Sequence, residues 1–304
     1  GYFETYIKRY PYDADIYEYK FYRAVCLQTA AQWLAAADAF EAIRDDNSRT
    51  DRRERSAYAA FLMLQAEVDS QTESGGLPPQ PDGSAPEAQE IPVLLKRMIN
   101  ASMRYIELIP DAPDTPRFYY NAAVIYSNYS HREKADKWYR KLIAQFPEHE
   151  GALDAARWVL NSYINQSDWP GVEAWARKML KDGVGKDDEE FQKQFADMAA
   201  RSVYEQALVH FEKRDFQKAH DEFLRLIAED PKNKFAAQAL FSAASCMDSL
   251  QRFQSAGKLY ERVFNEYPED KALASQSLFK VASAAYESFE FDRAIDFYMR
   301  LVND

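Results

Sequence analysis

The residues that could carry out nucleophilic chemistry do not form a complete catalytic pattern. The stretch SAGK, from Ser255 to Lys258, matches the S-x-x-K spacing of penicillin-binding enzymes, in which a lysine lies near the nucleophilic serine. The companion motifs of those enzymes are absent from the sequence, and Ala256 belongs to a repeated packing position described below. We interpret the match as a coincidence and predict no catalytic residue.

Metal-binding and phosphate-binding patterns are also missing from the sequence. Zinc sites use Cys and His at short spacings such as H-x-x-x-H, and none of the histidines has such a neighbour. The histidines are His131, His149, His210 and His220. We expect His210 to be a core residue and predict neither a cofactor nor a metal. An enzyme or cofactor protein built on a helical scaffold is the alternative from another functional class.

Composition indicates a folded, helix-rich chain with an acidic surface. The 304 residues are 47% hydrophobic and 29% charged, and only 9 are glycine, which favours long helices over a turn-rich sheet protein. The formal net charge is −11. Because nucleic acids and anionic membranes are bound through clustered lysine and arginine, we expect no nucleic-acid partner. The short basic cluster Arg52, Arg53 and Arg55 is interpreted as a solvated helix face.

The cysteines and the hydropathy pattern give no sign of a disulfide or a membrane span. Cys26 and Cys246 lie far apart inside apolar helical patterns, and we expect both to be small buried residues. No run of about 20 apolar residues is present, so no span is expected in this segment. The chain begins at Gly1 in the middle of a helical pattern, which we interpret as an excised or processed form.

A repeated pattern of prolines and alanines organises the chain. Pro147 follows Pro110 by 37 residues, and Pro268 follows Pro231 by the same 37 residues. An alanine lies 12 residues before each of three prolines, and a second alanine lies another 12 residues earlier. The later alanines are Ala135, Ala219, Ala256 and, continuing the series, Ala294; the earlier ones are Ala123, Ala207, Ala244 and Ala282.

Two helices packed side by side explain this spacing. An alanine on each helix lets the two backbones approach, and an aromatic residue four positions after the second alanine fills the adjoining space. Proline then ends the second helix, because it lacks a backbone donor and clashes with the preceding turn. We expect the last turn of a second helix to precede each of Pro11, Pro110, Pro147, Pro231 and Pro268.

The spacing small-x11-small-x3-aromatic-x7-Pro resembles the tetratricopeptide repeat over most of the chain. The resemblance implies an all-α solenoid of helical hairpins, wound as a right-handed superhelix, that binds other proteins without catalysis. Within 150–183, Gly171 and Trp175 hold the small and aromatic positions. The sequence departs from the family at the tryptophan position of the first helix, which holds Tyr119, Val203, Leu240 and Leu278.

Two interruptions divide the predicted repeats into two arrays. The segment 70–90 is rich in Gly, Pro and Ser, which predicts a flexible loop between the two helices of one repeat. Glycines and acidic residues in 181–195 predict a new helix that runs from Asp187 to about Arg214. We therefore expect an N-terminal array over 1–183 with the loop at 70–90. The C-terminal array, 184–304, begins with the long helix and is truncated in its last repeat.

The resemblance also implies a binding surface. In tetratricopeptide proteins the first helices of the repeats line a concave groove, and the fifth position of each repeat points into it. That position here is occupied by the aromatic stripe, which comprises Phe21, Tyr120, Tyr204, Phe241 and Phe279. Aromatic rings are effective anchors for the apolar side chains of a partner peptide or helix, so a protein partner is expected. The alternative is that the stripe packs neighbouring helices.

Two polar residues match groove positions of a different subgroup of the family. Members that clamp the C-terminal carboxylate of chaperones use Lys, Asn and Arg in the groove, and Arg117 and Asn121 are isolated matches. Aromatic residues replace the lysine, so a chaperone-tail clamp is not expected. The two residues are kept as candidate members of the partner-binding groove.

Short repeat endings suggest a cellular setting. The endings RYP, QFP and EYP resemble those of bacterial envelope members of the family, among them the outer-membrane assembly lipoprotein, the Tol–Pal coordinator and repeat proteins of gliding or secretion machines. This similarity implies a periplasmic or outer-membrane-associated scaffold that organises a multiprotein assembly. A cytoplasmic adaptor is the alternative.

Overall fold

The computed structural model of the chain describes residues 1–46 and 51–303, and within these ranges all regular secondary structure is α-helical. The chain divides into two compact units, Gly1–Val159 and Leu160–Asp304. The predicted all-α fold of helical hairpins is confirmed. The boundary between the two units, at 159/160, differs from the predicted boundary between the two repeat arrays at 183/184. The division of the repeats into these two arrays stays a prediction. Residues 47–50 and 304, which the arrays include, lie outside the described ranges.

The first unit contains seven complete helices, counted over the described residues. They are α1 (Tyr2–Arg9), α2 (Ile16–Thr29), α3 (Trp33–Arg44), α4 (Arg53–Glu73), α5 (Val93–Leu108), α6 (Thr115–Asn128) and α7 (Arg132–Gln145). Helix α8 (Glu150–Asn165) begins in this unit and ends in the next. Consecutive helices contact each other, so that α2 pairs with α3, α4 with α5 and α6 with α7.

The second unit continues the same alternation. Its helices are α9 (Trp169–Lys181), α10 (Glu189–Glu212), α11 (Phe216–Glu229), α12 (Ala236–Ser249), α13 (Phe253–Glu266), α14 (Lys271–Glu287) and α15 (Phe291–Asn303). Helix α10 pairs with α11, α12 with α13 and α14 with α15. The predicted long helix is α10, whose 24 residues begin after the Asp188 side chain accepts a hydrogen bond from the Phe191 amide at 3.0 Å.

The repeated prolines end helices as the sequence predicted. Each of the five lies two residues beyond the last helical residue of α1, α5, α7, α11 or α13. The repeated alanines are buried as predicted, because a larger side chain would hold the paired helices apart. Eight of these side chains, Ala123, Ala135, Ala207, Ala219, Ala244, Ala256, Ala282 and Ala294, are at most 3% exposed.

The turn inside a hairpin has a recurrent backbone conformation. A residue with positive φ lies two positions before the second helix of each hairpin that has a short turn. These residues are Ala31 (φ 53°), Ser130 (φ 58°), Ser167 (φ 54°), Arg214 (φ 61°), Gln251 (φ 57°) and Phe289 (φ 63°). None of them is glycine, so each turn holds a left-handed conformation that costs an L-residue roughly 1–2 kcal/mol. The hairpin of α4 and α5 is joined instead by the long segment 74–92.

The segment predicted as a loop is helical at its start. Helix α4 continues to Glu73, so the first residues of 70–90 belong to it. The rest is non-helical, and Leu77 within it is only 6% exposed. The flexibility of the segment stays a prediction.

One cysteine differs from its prediction. Cys246 on α12 is fully buried, and burial raises the pKa of its thiol to about 12. Cys26 on α2 is exposed, which corrects the expectation that both are buried. The reason is helical phase, because a position two residues after the buried Ala24 lies about 200° around the helix from it.

Gly171 and Gly257 allow a matched test of close helix packing. A Cβ at Gly171 would lie 2.5 Å from Tyr163 Cδ1 and from Asp168 Oδ2, whereas at Gly257 it would meet Ala284 Cβ at 3.5 Å. We expect Gly171→Ala to lower the free energy of unfolding by about 1–2 kcal/mol, because overpacking outweighs the gain in helix propensity. Gly257→Ala should raise it by about 0.5–1 kcal/mol. Urea denaturation measures both, and stabilisation by both substitutions would contradict the close approach at Gly171.

Candidate functional site

The aromatic stripe is built from one contact that recurs in five hairpins. Each stripe residue packs its ring against an aromatic residue 19 positions later, on the second helix of the same hairpin. The ring centroids are 5.9 Å apart in Phe21–Phe40, 6.2 Å in Tyr120–Tyr139, 5.3 Å in Tyr204–Phe223, 5.1 Å in Phe241–Tyr260 and 5.9 Å in Phe279–Tyr298. Each stripe ring therefore has a packing contact within its own hairpin. Whether the stripe also binds a partner depends on how much of each ring stays accessible.

Phe21 does not keep an accessible ring. Its side chain is only 3% exposed, with Phe40 against one edge. The guanidinium carbon of Arg52 lies 4.3 Å from the ring centroid and that of Arg55 lies 5.4 Å from it. Arg52 is held in place by its hydrogen bond to Glu18, with Nε donating at 3.0 Å. Phe21 is thus a core residue in this structure, which corrects its predicted accessibility in a binding groove.

Tyr120 is the stripe residue of helix α6 and is half-buried. Its hydroxyl donates to Asp154 Oδ2 on α8 at 3.4 Å. Burial, and then the nearby Asp154 carboxylate, raises the pKa of Tyr120. On the same helix the Arg117 side chain is exposed and Asn121 is half-buried. Helix α6 therefore presents one aromatic edge, one cation and one amide within a span of five residues.

The second unit carries three stripe residues in consecutive hairpins. Tyr204 on α10 and Phe241 on α12 are half-buried, and Phe279 on α14 is 48% exposed. Their partners on the second helices of the hairpins are more buried, since Phe223 and Tyr260 are fully enclosed. Each stripe ring in this unit thus has one part held by its hairpin and another part in contact with solvent.

The aromatic pairs include residues to which the groove interpretation gave no role of their own. Four of them are the space-filling aromatic residues that the sequence pattern places four positions after the second alanine, and their 19-residue spacing from the stripe repeats in five hairpins. A search for aromatic residues at that spacing identifies Phe40, Tyr139, Phe223, Tyr260 and Tyr298 as the supports of the stripe. The stripe alone does not show which member of a pair faces solvent.

The SAGK stretch lies on α13, His149 at the start of α8 and His210 on α10. Ser255 and Lys258 are both exposed on α13. His149 Nδ1 accepts a hydrogen bond from the Gly151 amide at 3.0 Å, at the start of α8. His210 is half-buried, with Nδ1 3.9 Å from Asp215 Oδ2, so the prediction of a core histidine is wrong. Over the described residues no group of three or more His, Cys, Asp or Glu side chains could hold a metal ion.

A polar cluster joins three helices of the second unit. Glu173 on α9 accepts hydrogen bonds from Arg225 Nη1 at 2.7 Å and from Gln206 Nε2 at 2.8 Å. Burial alone would raise the pKa of Glu173, but the hydrogen bond from Arg225 and the other cationic neighbours lower it. The Glu173 carboxylate is paired with arginine inside the cluster, so we interpret the cluster as a structural link between α9, α10 and α11.

No helix among the described residues is both long and apolar enough to cross a membrane.

Two hairpins match sequence models of a known protein family. One tetratricopeptide-repeat model matches residues 116–149, which cover most of α6 and all of α7, and another matches residues 238–270, which cover most of α12 and all of α13. Both matched segments contain an aromatic pair and a proline that follows the second helix. A comparison with curated protein sequences gives no match.

Several solved structures are similar to this chain at low sequence identity and low TM-score. A tetratricopeptide repeat protein from Parabacteroides merdae is 14% identical over 94% of this chain and 92% of its own, with a TM-score of 0.35. The pilF protein of Pseudomonas aeruginosa is 14% identical over 82% and 91%, with a TM-score of 0.30. The TPR2AB domain of yeast Sti1, in a complex with pHSP90, is 13% identical over 93% and 99%, with a TM-score of 0.26. The family matches and the all-helical fold together support the assignment of these hairpins to the tetratricopeptide-repeat family.

Proposed function

We propose that the chain is a non-catalytic scaffold that binds a protein partner through the accessible edges of the aromatic stripe and so organises a multiprotein assembly. Phe21 is left out of the proposed surface because its ring is buried. The proposed anchors are Tyr204, Phe241 and Phe279 in the second unit, and Tyr120 with Arg117 and Asn121 in the first. Each unit supplies its own contacts in this proposal.

The observation that carries the proposal is the two-sided environment of the stripe rings. Phe279 packs on Tyr298 at 5.9 Å and is still 48% exposed. A ring fixed on one side loses little rotamer entropy when a partner covers the other side, so its binding contribution is largely retained. Hot spots of protein interfaces are enriched in such held aromatic side chains. A peptide or helix with apolar side chains at matching intervals is the partner that this surface fits.

The test begins by identifying the partner at the proposed surface. A photo-crosslinking phenylalanine analogue at position 279 should capture a protein from the native organism. The same analogue at position 289, in the turn of the same hairpin, is the control. The captured protein is then purified and titrated against alanine variants of the full chain.

Phe279→Ala and Phe289→Ala form a matched pair for that titration. Both remove a phenylalanine from one hairpin, and Phe289 is the more exposed at 80%. If the stripe is the binding surface, Phe279→Ala should weaken binding by about 2 kcal/mol, while Phe289→Ala changes it little. Equal affinity of both variants and the parent, or a larger loss from Phe289→Ala, would remove the stripe as the binding surface.

We also propose a bacterial envelope setting, either periplasmic or outer-membrane-associated. The support for it is the set of repeat endings RYP, QFP and EYP in the sequence. Cell fractionation of the native organism with an antibody to this chain is the test. Recovery in the cytoplasmic fraction would favour the adaptor alternative and leave the stripe proposal standing.

A further inference from the structure

The insertion, residues 74–92 between α4 and α5, lies against the turn of the next hairpin. The Gln89 amide donates to the Tyr129 carbonyl at 2.9 Å, and His131 Nε2 donates in turn to the Gln89 carbonyl at 2.9 Å. The Ser130 hydroxyl donates to the Gly83 carbonyl at 3.1 Å. Further bonds join Arg132 to the Ala85 carbonyl at 2.9 Å and Asn128 to Gln80 at 2.9 Å. The insertion is therefore docked on the α6–α7 turn through its own backbone.

A glycine makes this close approach possible. Gly83 has a φ of 76°, and a Cβ at this position would lie 2.5 Å from the Ser127 carbonyl oxygen at the end of α6. Gly75, at the other end of the insertion, has nearly the same φ of 74° and no atom within 4 Å of a built Cβ. Alanine would meet the same unfavourable positive φ at both positions, but only at Gly83 would its Cβ collide with a neighbour, which makes Gly75 a matched control for Gly83.

Docking of the insertion creates a cavity of about 600 Å³ between the insertion and helices α5, α6 and α7. Its accessible apolar part comprises the exposed Ala88 and the half-buried ring of Tyr126. Its polar part includes Lys96, Lys134, Asn100 and Glu90. Apolar surface beside a few convergent polar groups is the usual make-up of a small-ligand site. We call this cavity the insertion pocket.

The charged groups of the insertion pocket favour an anion. The Lys134 ammonium lies 5.3 Å from the Tyr126 ring centroid, a contact that orients the cation without neutralising it. Lys96 lies 3.4 Å from Glu90, whose side chain is 89% exposed and so holds its partner weakly. The chain as a whole carries a net charge of −11, so attraction of an anion must come from these nearby lysines.

We infer that the insertion pocket binds an organic anion with an apolar arm. The anionic group lies between Lys96 and Lys134, with Asn100 as an additional donor. The apolar arm lies against Ala88 and the Tyr126 ring. This site is separate from the aromatic stripe and does not depend on the function proposed for it.

The test uses octanoate as the probe, because it combines a carboxylate with an apolar chain. Calorimetric titration of the full chain should show octanoate binding, and octylammonium, with the same chain and the opposite charge, should not compete for it. Inorganic phosphate, an anion without an apolar arm, should bind at least about tenfold more weakly than octanoate. Lys96→Gln/Lys134→Gln should weaken octanoate binding by about tenfold or more. Lys141→Gln, an exposed lysine farther along α7 that does not line the pocket, should leave it unchanged.

The glycine pair supplies an independent arm of the experiment. Gly83→Ala should weaken octanoate binding because it displaces the insertion, whereas Gly75→Ala should not. Protease Glu-C distinguishes displacement from unfolding, since cleavage after Glu87 and Glu90 should rise in Gly83→Ala while the helical circular dichroism is kept. The inference is overturned by no octanoate binding up to about 10 mM, by equal binding of octylammonium, or by parental affinity in the double lysine variant.

Discussion

Replacement of Phe223 by alanine is expected to lower the free energy of unfolding by about 3–5 kcal/mol. Phe223 lies on α11, is fully buried and packs 5.3 Å from the ring of Tyr204. Removing the ring leaves a cavity that the surrounding helices α10, α11 and α12 cannot close completely, because they are held by their own repeated contacts. Urea denaturation followed by circular dichroism measures the loss, and an unchanged midpoint would place Phe223 outside the core.

Tyr204→Ala is the matched variant for this experiment. The Tyr204 ring is half-buried and keeps part of its area in water, so its removal should cost only about 1–2 kcal/mol. The double variant should show a coupling of about 0.5–1.5 kcal/mol, the usual range for an aromatic pair. A loss for Tyr204→Ala as large as that for Phe223→Ala would mean that the stripe residue is core. The binding proposal for the second unit would then lose one of its three anchors.

Ala244→Leu is expected to lower the free energy of unfolding by about 1–3 kcal/mol. Ala244 on α12 is fully buried, as is Ala256 on the paired helix α13. Added methylene groups have no space there, so the two helices must separate or adopt strained rotamers. The equivalent substitution Ala123→Leu on α6 should act in the same way, because that side chain is also fully buried. Thermal melts of both variants measure the effect.

Gln238→Leu is the control for this substitution. Gln238 is an exposed residue on the same helix as Ala244, so a leucine there should change the stability by no more than about 0.5 kcal/mol. If Ala244→Leu and Ala123→Leu both have the melting temperature of the parent protein, close contact between the paired helices is not the reason for the repeated alanines.

The helices and their ends could be predicted because their signals are local. Proline stops a helix wherever it occurs, and the 12-residue spacing of Ala244 and Ala256 reflects the geometry of a single hairpin. The same signals recur at 37 residues, so each hairpin supports the assignment of the others. Long helix α10 was also predictable, because glycines before it and acidic residues at its start mark the boundary.

The environment of single site residues was harder to predict because it depends on distant parts of the chain. Phe21 has the same register as Phe279, yet one is 3% exposed and the other 48%. The difference comes partly from Arg52 and Arg55, which lie over Phe21 and belong to a later part of the chain. The repeat period does not predict that these two arginines pack on the Phe21 ring. The exposure of Cys26 escaped prediction for a different reason, since a single small residue does not define the phase of a helix.

The sequence contains almost no signal that predicts the docking of the insertion. Its contacts use carbonyl groups of Gly83, Ala85 and Gln89, and a backbone carbonyl is present at every position of any chain. Glycine and proline there indicated a loop, which the structure has over 74–92. Only the contact of Gly83 with the end of α6 shows why one of these glycines is required.

The hydrogen bonds of the insertion also bear on how the first unit unfolds. In a simple array of repeats each hairpin interacts with its neighbours alone, so opening can spread inward from an end, one hairpin at a time. The bonds between the insertion and the α6–α7 turn join residues 40 to 48 positions apart. Separation of α7 from the hairpin before it must break these bonds as well as the helix contacts. We therefore expect the α4–α5 and α6–α7 hairpins to unfold together, because the insertion connects the first hairpin to the turn of the second.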